Sequence, residues 1–415
     1  MKKIVTLLLI IVSLTHILYA QNGAGFKVGA SSAICTPKAG IFIAGGDQNR
    51  RFTGVHDDLF VKAVVISNDE NIIAIFTVDC IGMLYPQLQQ VRDAVKKELP
   101  AFPVEHIVMS STHTHSGPDV VGIWGPDMMH SGVDSGFMQS FVSTAAAQII
   151  NAYKSLEPAT AQYAISHYGE DWVENISQPD ELDRSVMVLK FINRLNKNIA
   201  TLTNFACHPT IMDGSSGEVS ADYVAGYYEY MNKKQGGVNM FLQGAIGGWV
   251  QPEHVPKTFI EAYEKGSGLG VTVASALKNP QLLQQNKIIF KSKLLTLPVE
   301  NSGFRQLSAL NVIHRKITDS VTTEIAFFNI GEAVFATHPG ETVPAMSFAT
   351  KELMTTYGPK FVMGLSMDAL GYILKTDFFD PSKKIPHSEY LCSLSVGPQT
   401  KDLIMNTIEA LAKHE

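Results

Sequence analysis

The sequence predicts an α/β fold: a mixed β-sheet core flanked by helices, forming a single domain. Three observations lead there. Short apolar runs of strand length alternate with amphipathic stretches of helix length from Phe26 to the end. No internal repeat, low-complexity tract or long linker interrupts them. With 415 residues, 45% of them hydrophobic, the chain can bury a sizeable core.

In chain order, the first element is a leader. Lys2 and Lys3 precede an apolar run over residues 4–12, and Leu18-Tyr19-Ala20 ends in the small residue a signal peptidase needs. Residues 1–20 are therefore expected to be a cleavable signal peptide, residues 21–415 the mature single domain, and the protein secreted or periplasmic. The apolar run is too short to span a bilayer by itself.

Buried strands are expected over residues 72–78, 106–110, 187–191, 199–205, 240–243, 324–329, 333–336 and 361–365, each a short apolar run. Apolar residues at helical spacing predict helices over 83–97, 136–156, 224–232, 258–277, 342–355 and 399–413. Asn329-Ile330-Gly331-Glu332 reads as a hairpin turn. The Gly266-Ser-Gly-Leu-Gly270 stretch falls inside a helical pattern and reads as a bend or a close packing contact. Residues 279–308 open with Asn279-Pro280 and are Gln-rich and polar, which suggests a surface excursion.

Some function classes are disfavoured. The formal charge of −6, or −8 once Lys2 and Lys3 leave with the leader, argues against a nucleic-acid partner, which needs a basic face. Cys35, Cys80, Cys207 and Cys392 are scattered in apolar neighbourhoods with no CxxC pair, so free buried thiols are expected and a zinc–thiolate site is not. The GxSxG elbow, the Walker A loop, a GxGxxG after a strand and HExxH are all missing.

Five expected strands run into loops of unusual chemistry. These are Ser111-Thr-His-Thr-His-Ser-Gly-Pro118, Ala206-Cys-His-Pro-Thr210, Gly244-Ala-Ile-Gly-Gly248, Thr337-His-Pro-Gly-Glu341 and Ser366-Met-Asp-Ala-Leu-Gly-Tyr372. Ligands in α/β folds collect at the carboxyl ends of strands, so one shared sheet would bring these loops to one pocket. His113, His115 and His208 offer imidazoles for zinc or for proton transfer, and Glu341 offers a carboxylate. Each also has a plain structural reading: solvated loop histidines, a packed or capping His208, and a helix-start Glu341 that complements the helix dipole.

Taken together, the stretches Gly54-Val-His-Asp-Asp-Leu-Phe-Val-Lys-Ala63, His113-Thr-His-Ser-Gly-Pro118, Asn204-Phe-Ala-Cys-His-Pro209, Ser220-Ala-Asp222, Pro339-Gly-Glu341, Gly371-Tyr372 and Gly397-Pro398 resemble the N-terminal catalytic domain of the neutral/alkaline non-lysosomal ceramidases, over nearly the whole mature length. The resemblance implies a zinc-dependent amide hydrolase that cleaves an N-acyl amide, ceramide to sphingosine and a fatty acid. It implies His113, His208, Glu341 and Tyr372 as ligands of a Zn2+ ion. His115 would face the substrate and pass a proton to the leaving amine, and Tyr390 would steady the oxyanion. Asp222 is expected behind this set, orienting a loop or a ligand imidazole. A small-molecule or lipid-derived substrate and a transient contact with a membrane surface go with that activity.

The sequence departs from the family where substrate is held. The family's Gly-Asp-Val-Ser-Pro element is Gly247-Gly-Trp-Val-Gln-Pro252 here, with Gly248 in place of the aspartate and Val250 in place of the serine. The substrate-binding arginine of its Asn-Arg-Ser element is Ile176, and the family's C-terminal immunoglobulin-like domain is expected to be missing. Trp249 and Ile176 are thus the expected substrate-facing changes, and Trp249 is expected to narrow the channel. Two other readings stay open: a zinc hydrolase of a different amide or ester, and a non-catalytic binding protein of the same fold.

Overall fold

A computed structural model describes residues 25–413; the expected leader lies outside the described residues. The larger sheet is built from β1 (Gly25–Ile34), β2 (Phe60–Ser67), β3 (Ile72–Val78), β4 (Ile107–Ser111), β5 (Glu157–His167), β6 (Ser185–Asn193), β7 (Asn198–Phe205) and β8 (Val238–Gln243). Their spatial order is β8-β7-β6-β5-β1-β2-β3-β4, and the pair Gln281–Leu282 adds beside β5. Pairing is parallel at the two ends, β3 with β4 and β7 with β8, and antiparallel between. A second sheet runs β9 (Ile288–Pro298), β10 (Ser320–Ile330), β11 (Ala333–Thr337) and β12 (Lys360–Met363), with β11 and β12 parallel.

Helices lie on both faces of the larger sheet. On one face sit α1 (Tyr85–Glu98) and α2 (Ser135–Lys154). α2 presses close to β1, where a β-carbon on Gly29 would stand 2.0 Å from the Ala152 carbonyl oxygen. On the other face, α3 (Tyr223–Gln235) lays Tyr223 and Tyr227 against Phe241 of β8. Behind it, α4 (Phe259–Ala276) approaches so closely that a β-carbon on Gly266 would meet the Tyr223 carbonyl at 1.7 Å. The glycines of this stretch serve close packing inside a continuous helix. The remaining helices are α5 (Ser302–Ala309), α6 (Pro344–Leu353), α7 (Ser388–Ser393) and α8 (Thr400–Lys413). Phe328, Phe335 and Phe361 of the second sheet stack at 4.7 and 4.3 Å and join the core under α1 and α2.

The strands that lead into the five loops do not share one sheet but divide between the two, and the loops still meet. They converge because the segment after β12 is bonded to both outer strands of the larger sheet. Gly364 N donates to Gln243 O at 2.9 Å at the β8 end. Ser111 N donates to Leu365 O at 3.1 Å, and Met367 N to Met109 O at 3.0 Å, at the β4 end. Gln243 Nε2 then reaches the Thr112 and Cys207 carbonyls, both at 2.9 Å, tying the two histidine loops together.

Residues 279–308 lie mostly at the surface, as expected, but as regular structure: they supply β9 and most of α5. β9 is the outer strand of its sheet, and its lysines Lys291 and Lys293 break the apolar run that marks an inner strand. The expected hairpin turn is present, with Gly331 at φ +58° joining β10 to β11. All four cysteines are free; Cys80 and Cys207 are buried, while Cys35 and Cys392 are only partly so. Among the described residues, no helix is long and apolar enough to cross a membrane.

Candidate active site

Past the end of β4 the chain turns sharply, and His113 takes φ +71°. This left-handed value costs a residue with a β-carbon on the order of 1 kcal/mol, so the surrounding contacts must hold it. Its backbone N donates to Cys80 O at 2.9 Å, and its ring Nδ1 bonds the Ile81 carbonyl. His208 follows β7 in the same way: its backbone N and its ring Nδ1 both donate to Val250 O, at 2.9 and 2.8 Å. Glu341 lies past β11 in a two-residue parallel pairing that sets it beside Tyr372.

These residues meet. His208 Nε2 lies 3.0 Å from Glu341 Oε2, and His113 Nε2 lies 3.6 Å from Glu341 Oε1. His115 Nε2 is 3.3 Å from His113 Nε2, and the three imidazoles offer nitrogens all within 4.8 Å of one another. Tyr372 is buried against Glu341 and accepts the Trp249 indole N–H at 2.9 Å.

The electrostatics set the protonation states. Burial, together with the neighbouring His208 and His115, pushes the His113 imidazole down to about 3, against the opposing pull of Glu341, so it is neutral at ordinary pH. Burial by itself would raise the Glu341 carboxyl, but the three histidines hold it below its ordinary value. The Nδ1 atoms of His113 and His208 are both committed to backbone carbonyls, which leaves each Nε2 facing the Glu341 carboxylate. A metal cation between the two Nε2 atoms and the carboxylate would take a lone pair from each. Two imidazoles and a carboxylate, with a tyrosine oxygen beside them, are a donor set that fits zinc.

The other expected residues take distinct places. Tyr390, on α7 and half exposed, lines the cavity beside the cluster. Asp222 sits behind the His208 loop, where its carboxylate accepts Ile211 N at 3.2 Å and Met212 N at 2.7 Å; it orients the loop and bonds no imidazole. Trp249 and Ile176 are not among the residues that line this cavity. Ile176 N donates to Trp249 O at 3.1 Å, and the Trp249 ring packs on His387 and Tyr390 at 4.5 and 5.3 Å. The bulk of Trp249 is thus committed to the site's supporting wall. Sequence reasoning missed Asp213, whose Oδ1 is 3.1 Å from His115 Nδ1; its sole sequence signal is Asp213-Gly214 in the loop that follows His208.

The cavity that the cluster opens into measures about 120 Å3 and is mostly apolar. His113, His115, Glu341, Tyr372 and Tyr390 line it together with apolar residues such as Leu84, Ile313, Val321, Leu370 and Val396. An apolar cavity with a few convergent polar groups is the usual form of a small-molecule site.

Comparison with known proteins agrees with this picture. The family described as neutral/alkaline non-lysosomal ceramidase, N-terminal, matches residues 26–254. Neutral ceramidase B of Dictyostelium discoideum is 27% identical over 150 residues, which cover 31% of this chain and 20% of that protein. The crystal structure of neutral ceramidase from Pseudomonas aeruginosa superposes with a TM-score of 0.76 at 16% identity, covering 94% of this chain and 75% of that one. A structure of ceramidase complexed with C2 superposes with the same score at 15% identity and the same coverage. The two solved structures share the mixed α/β architecture described above, and the family match spans more than half of the sequence: the chain belongs to the neutral/alkaline non-lysosomal ceramidase family.

Proposed function

We propose that the protein is a zinc-dependent amide hydrolase that cleaves an N-acyl amide, with ceramide as the reference substrate and sphingosine and a fatty acid as products. One observation carries the reading: the Nε2 atoms of His113 and His208 converge on the Glu341 carboxylate, beside Tyr372, at the wall of an apolar cavity. His113, His208, Glu341 and Tyr372 would hold the ion. A zinc ion there supplies Lewis acidity for a carbonyl and for a water.

The chain's own residues do the rest. The Ile81 and Val250 carbonyls fix the two imidazoles in one tautomer and orientation. The apolar wall receives the hydrocarbon part of the substrate and excludes bulk water from the cluster. His115 Nε2 faces the same point and is placed to pass a proton to the leaving amine. Tyr390 lines the same cavity, where its hydroxyl would steady the oxyanion.

A second reading, a different amide or ester as the natural substrate, is favoured by Gly248, Val250 and Ile176, which replace the family's aspartate, serine and arginine. A panel of N-acyl amides, including long-chain ceramide and short-chain N-acyl amines, tests both. The wild type should release free amine from at least one member, and Glu341→Ala from none. Failure of the wild type on every member would end the hydrolase reading in favour of a binding protein. The proposal includes export after cleavage at Ala20, with transient contact at a membrane surface where such substrates reside. A secreted or periplasmic form beginning at Gln21 would support export, and a cytosolic protein with an intact Met1 would remove it.

A further inference from the structure

The proton-transfer role given to His115 leaves open what holds its ring. We propose that Asp213 is a positioning residue, fixing His115 with its proton on Nδ1 so that Nε2 is the atom that exchanges protons with the substrate. This rests on the amide-hydrolase reading above. His115 Nδ1 stands 3.1 Å from Asp213 Oδ1, so an ionised carboxylate there can only accept, and the ring nitrogen must donate. The opposite nitrogen, Nε2, then points into the cluster, 3.3 Å from His113 Nε2.

Several contacts keep Asp213 in that place. The loop turns through φ +48° at Asp213 and +61° at Gly214. Gly214 N donates to Ser116 Oγ at 3.0 Å, so the loop is strapped to the residue after His115. The Arg50 guanidinium donates to the Gly214 carbonyl at 3.1 Å and to the Gly45 carbonyl at 2.6 Å, which joins the loop to the opposite wall. Lys257 Nζ lies 3.9 Å from the other carboxylate oxygen. The ring itself has one seat. A β-carbon on Gly45, at φ +81°, would lie 2.5 Å from Nδ1 and 2.6 Å from Cγ, so only glycine leaves the face open.

The step balances as follows. Attack of water on the amide carbon forms the C–O bond while a water proton moves to His115 Nε2. The C–N bond then breaks as Nε2–H gives that proton to the amine nitrogen, and the imidazole returns to neutral. Asp213 stays a carboxylate throughout and faces the imidazolium while it exists. The proposal also separates His115 from the metal set, even though its imidazole lies within reach of the other two.

Asp213→Asn and Asp213→Glu test it, with zinc content measured alongside activity. An N-acyl amide and a 4-nitrophenyl ester of the same acyl group serve as substrates, because the phenolate leaves without a proton. Asp213→Asn should lower kcat on the amide by about 100-fold or more, with KM within about threefold, while zinc content stays at the wild-type level. The loss on the ester should be at least about tenfold smaller, and Asp213→Glu should recover most of the amide activity. In 15N-histidine-labelled protein, the His115 signals should report the Nδ1–H tautomer in the wild type and lose it in Asp213→Asn. Equal losses on amide and ester, a fall in zinc content, or an unchanged tautomer would each overturn the assignment. If the wild type cleaves neither substrate, the hydrolase reading fails instead, and the tautomer measurement still decides whether Asp213 holds the ring.

Discussion

The Trp249 indole N–H is bonded to the Tyr372 hydroxyl at 2.9 Å, across 123 residues of chain. Trp249 holds this place at φ +62°, with its ring against His387 and Tyr390. The bond fixes the direction of a phenol oxygen that lies beside Glu341, and partners behind a metal ligand typically matter by 10- to 100-fold in affinity or activity. Trp249→Phe keeps most of the packing and removes the donor. It should lower zinc affinity or kcat by about tenfold while leaving the melting temperature within a few degrees. Zinc titration and steady-state kinetics on one N-acyl amide measure this; an unchanged zinc affinity together with an unchanged kcat would contradict it.

Arg315 and Asp368 form a buried ion pair at 2.7 and 2.8 Å. Asp368 also accepts the amides of Tyr85 and Ala369, at 3.0 and 2.9 Å, so it anchors the loop that leads to Tyr372. Removing one partner strands a buried charge, which costs about 3–5 kcal/mol. Arg315→Ala should therefore destabilise the protein by that amount in urea denaturation. The double variant Arg315→Ala/Asp368→Ala should lose less than the two single losses combined. Additive losses would mean that the pair is not coupled.

His338 predicts an acid-labile fold. Its ring sits between the Thr342 and Thr350 hydroxyls at 2.7 and 3.0 Å, and burial pushes its pKa down to about 3. An unfolded histidine titrates near ~6.5. Between those values the unfolded chain binds a proton that the folded protein refuses, so stability is full above about pH 6.5 and falls as pH drops toward 3. Urea midpoints from pH 7 to pH 4 should decline. His338→Gln, which can still bond both hydroxyls, should reduce the slope by about 1.4 kcal/mol per pH unit within that window. An equal slope in the variant would rule out His338 as a source.

The elements legible in the sequence are those with one-sided or wholly buried surfaces. The strand expected over 72–78 is β3 to the residue, since β3 is almost entirely buried and reads as an unbroken apolar run. β1, β2, β5 and β9 were not legible, for separate reasons. β1 is rich in small residues. β2 carries Lys62 in its middle, buried with its ammonium bonded to the Asn239 carbonyl at 2.8 Å, a partner 177 residues away. β5 alternates polar and apolar residues with half of its side chains outward, and β9 is an outer strand.

The site shows the same division. His113, His208 and Glu341 stand in loops after strands, where their residue types announce chemistry, while Tyr372 is reached only through the family resemblance. Asp213 has no such mark: its partner lies 98 residues earlier, and nothing in the Pro209–Gly214 stretch has a period. The Ile81 and Val250 carbonyls that orient the imidazoles are backbone atoms, which no side-chain pattern can reveal. The bulk of Trp249 is legible in the sequence, but its indole N–H bond to Tyr372, 123 residues away, is not.

The most direct test of the account is the metal content of the purified protein, read together with amide hydrolysis. Wild-type protein should carry about one zinc per chain, lose zinc and activity together on chelation, and regain both when zinc is returned. His113→Ala, His208→Ala and Glu341→Ala should each bind zinc poorly and hydrolyse nothing, while circular dichroism shows the fold retained. Full amide hydrolysis by protein stripped of metal, or undiminished zinc binding in the Glu341→Ala variant, would contradict the account.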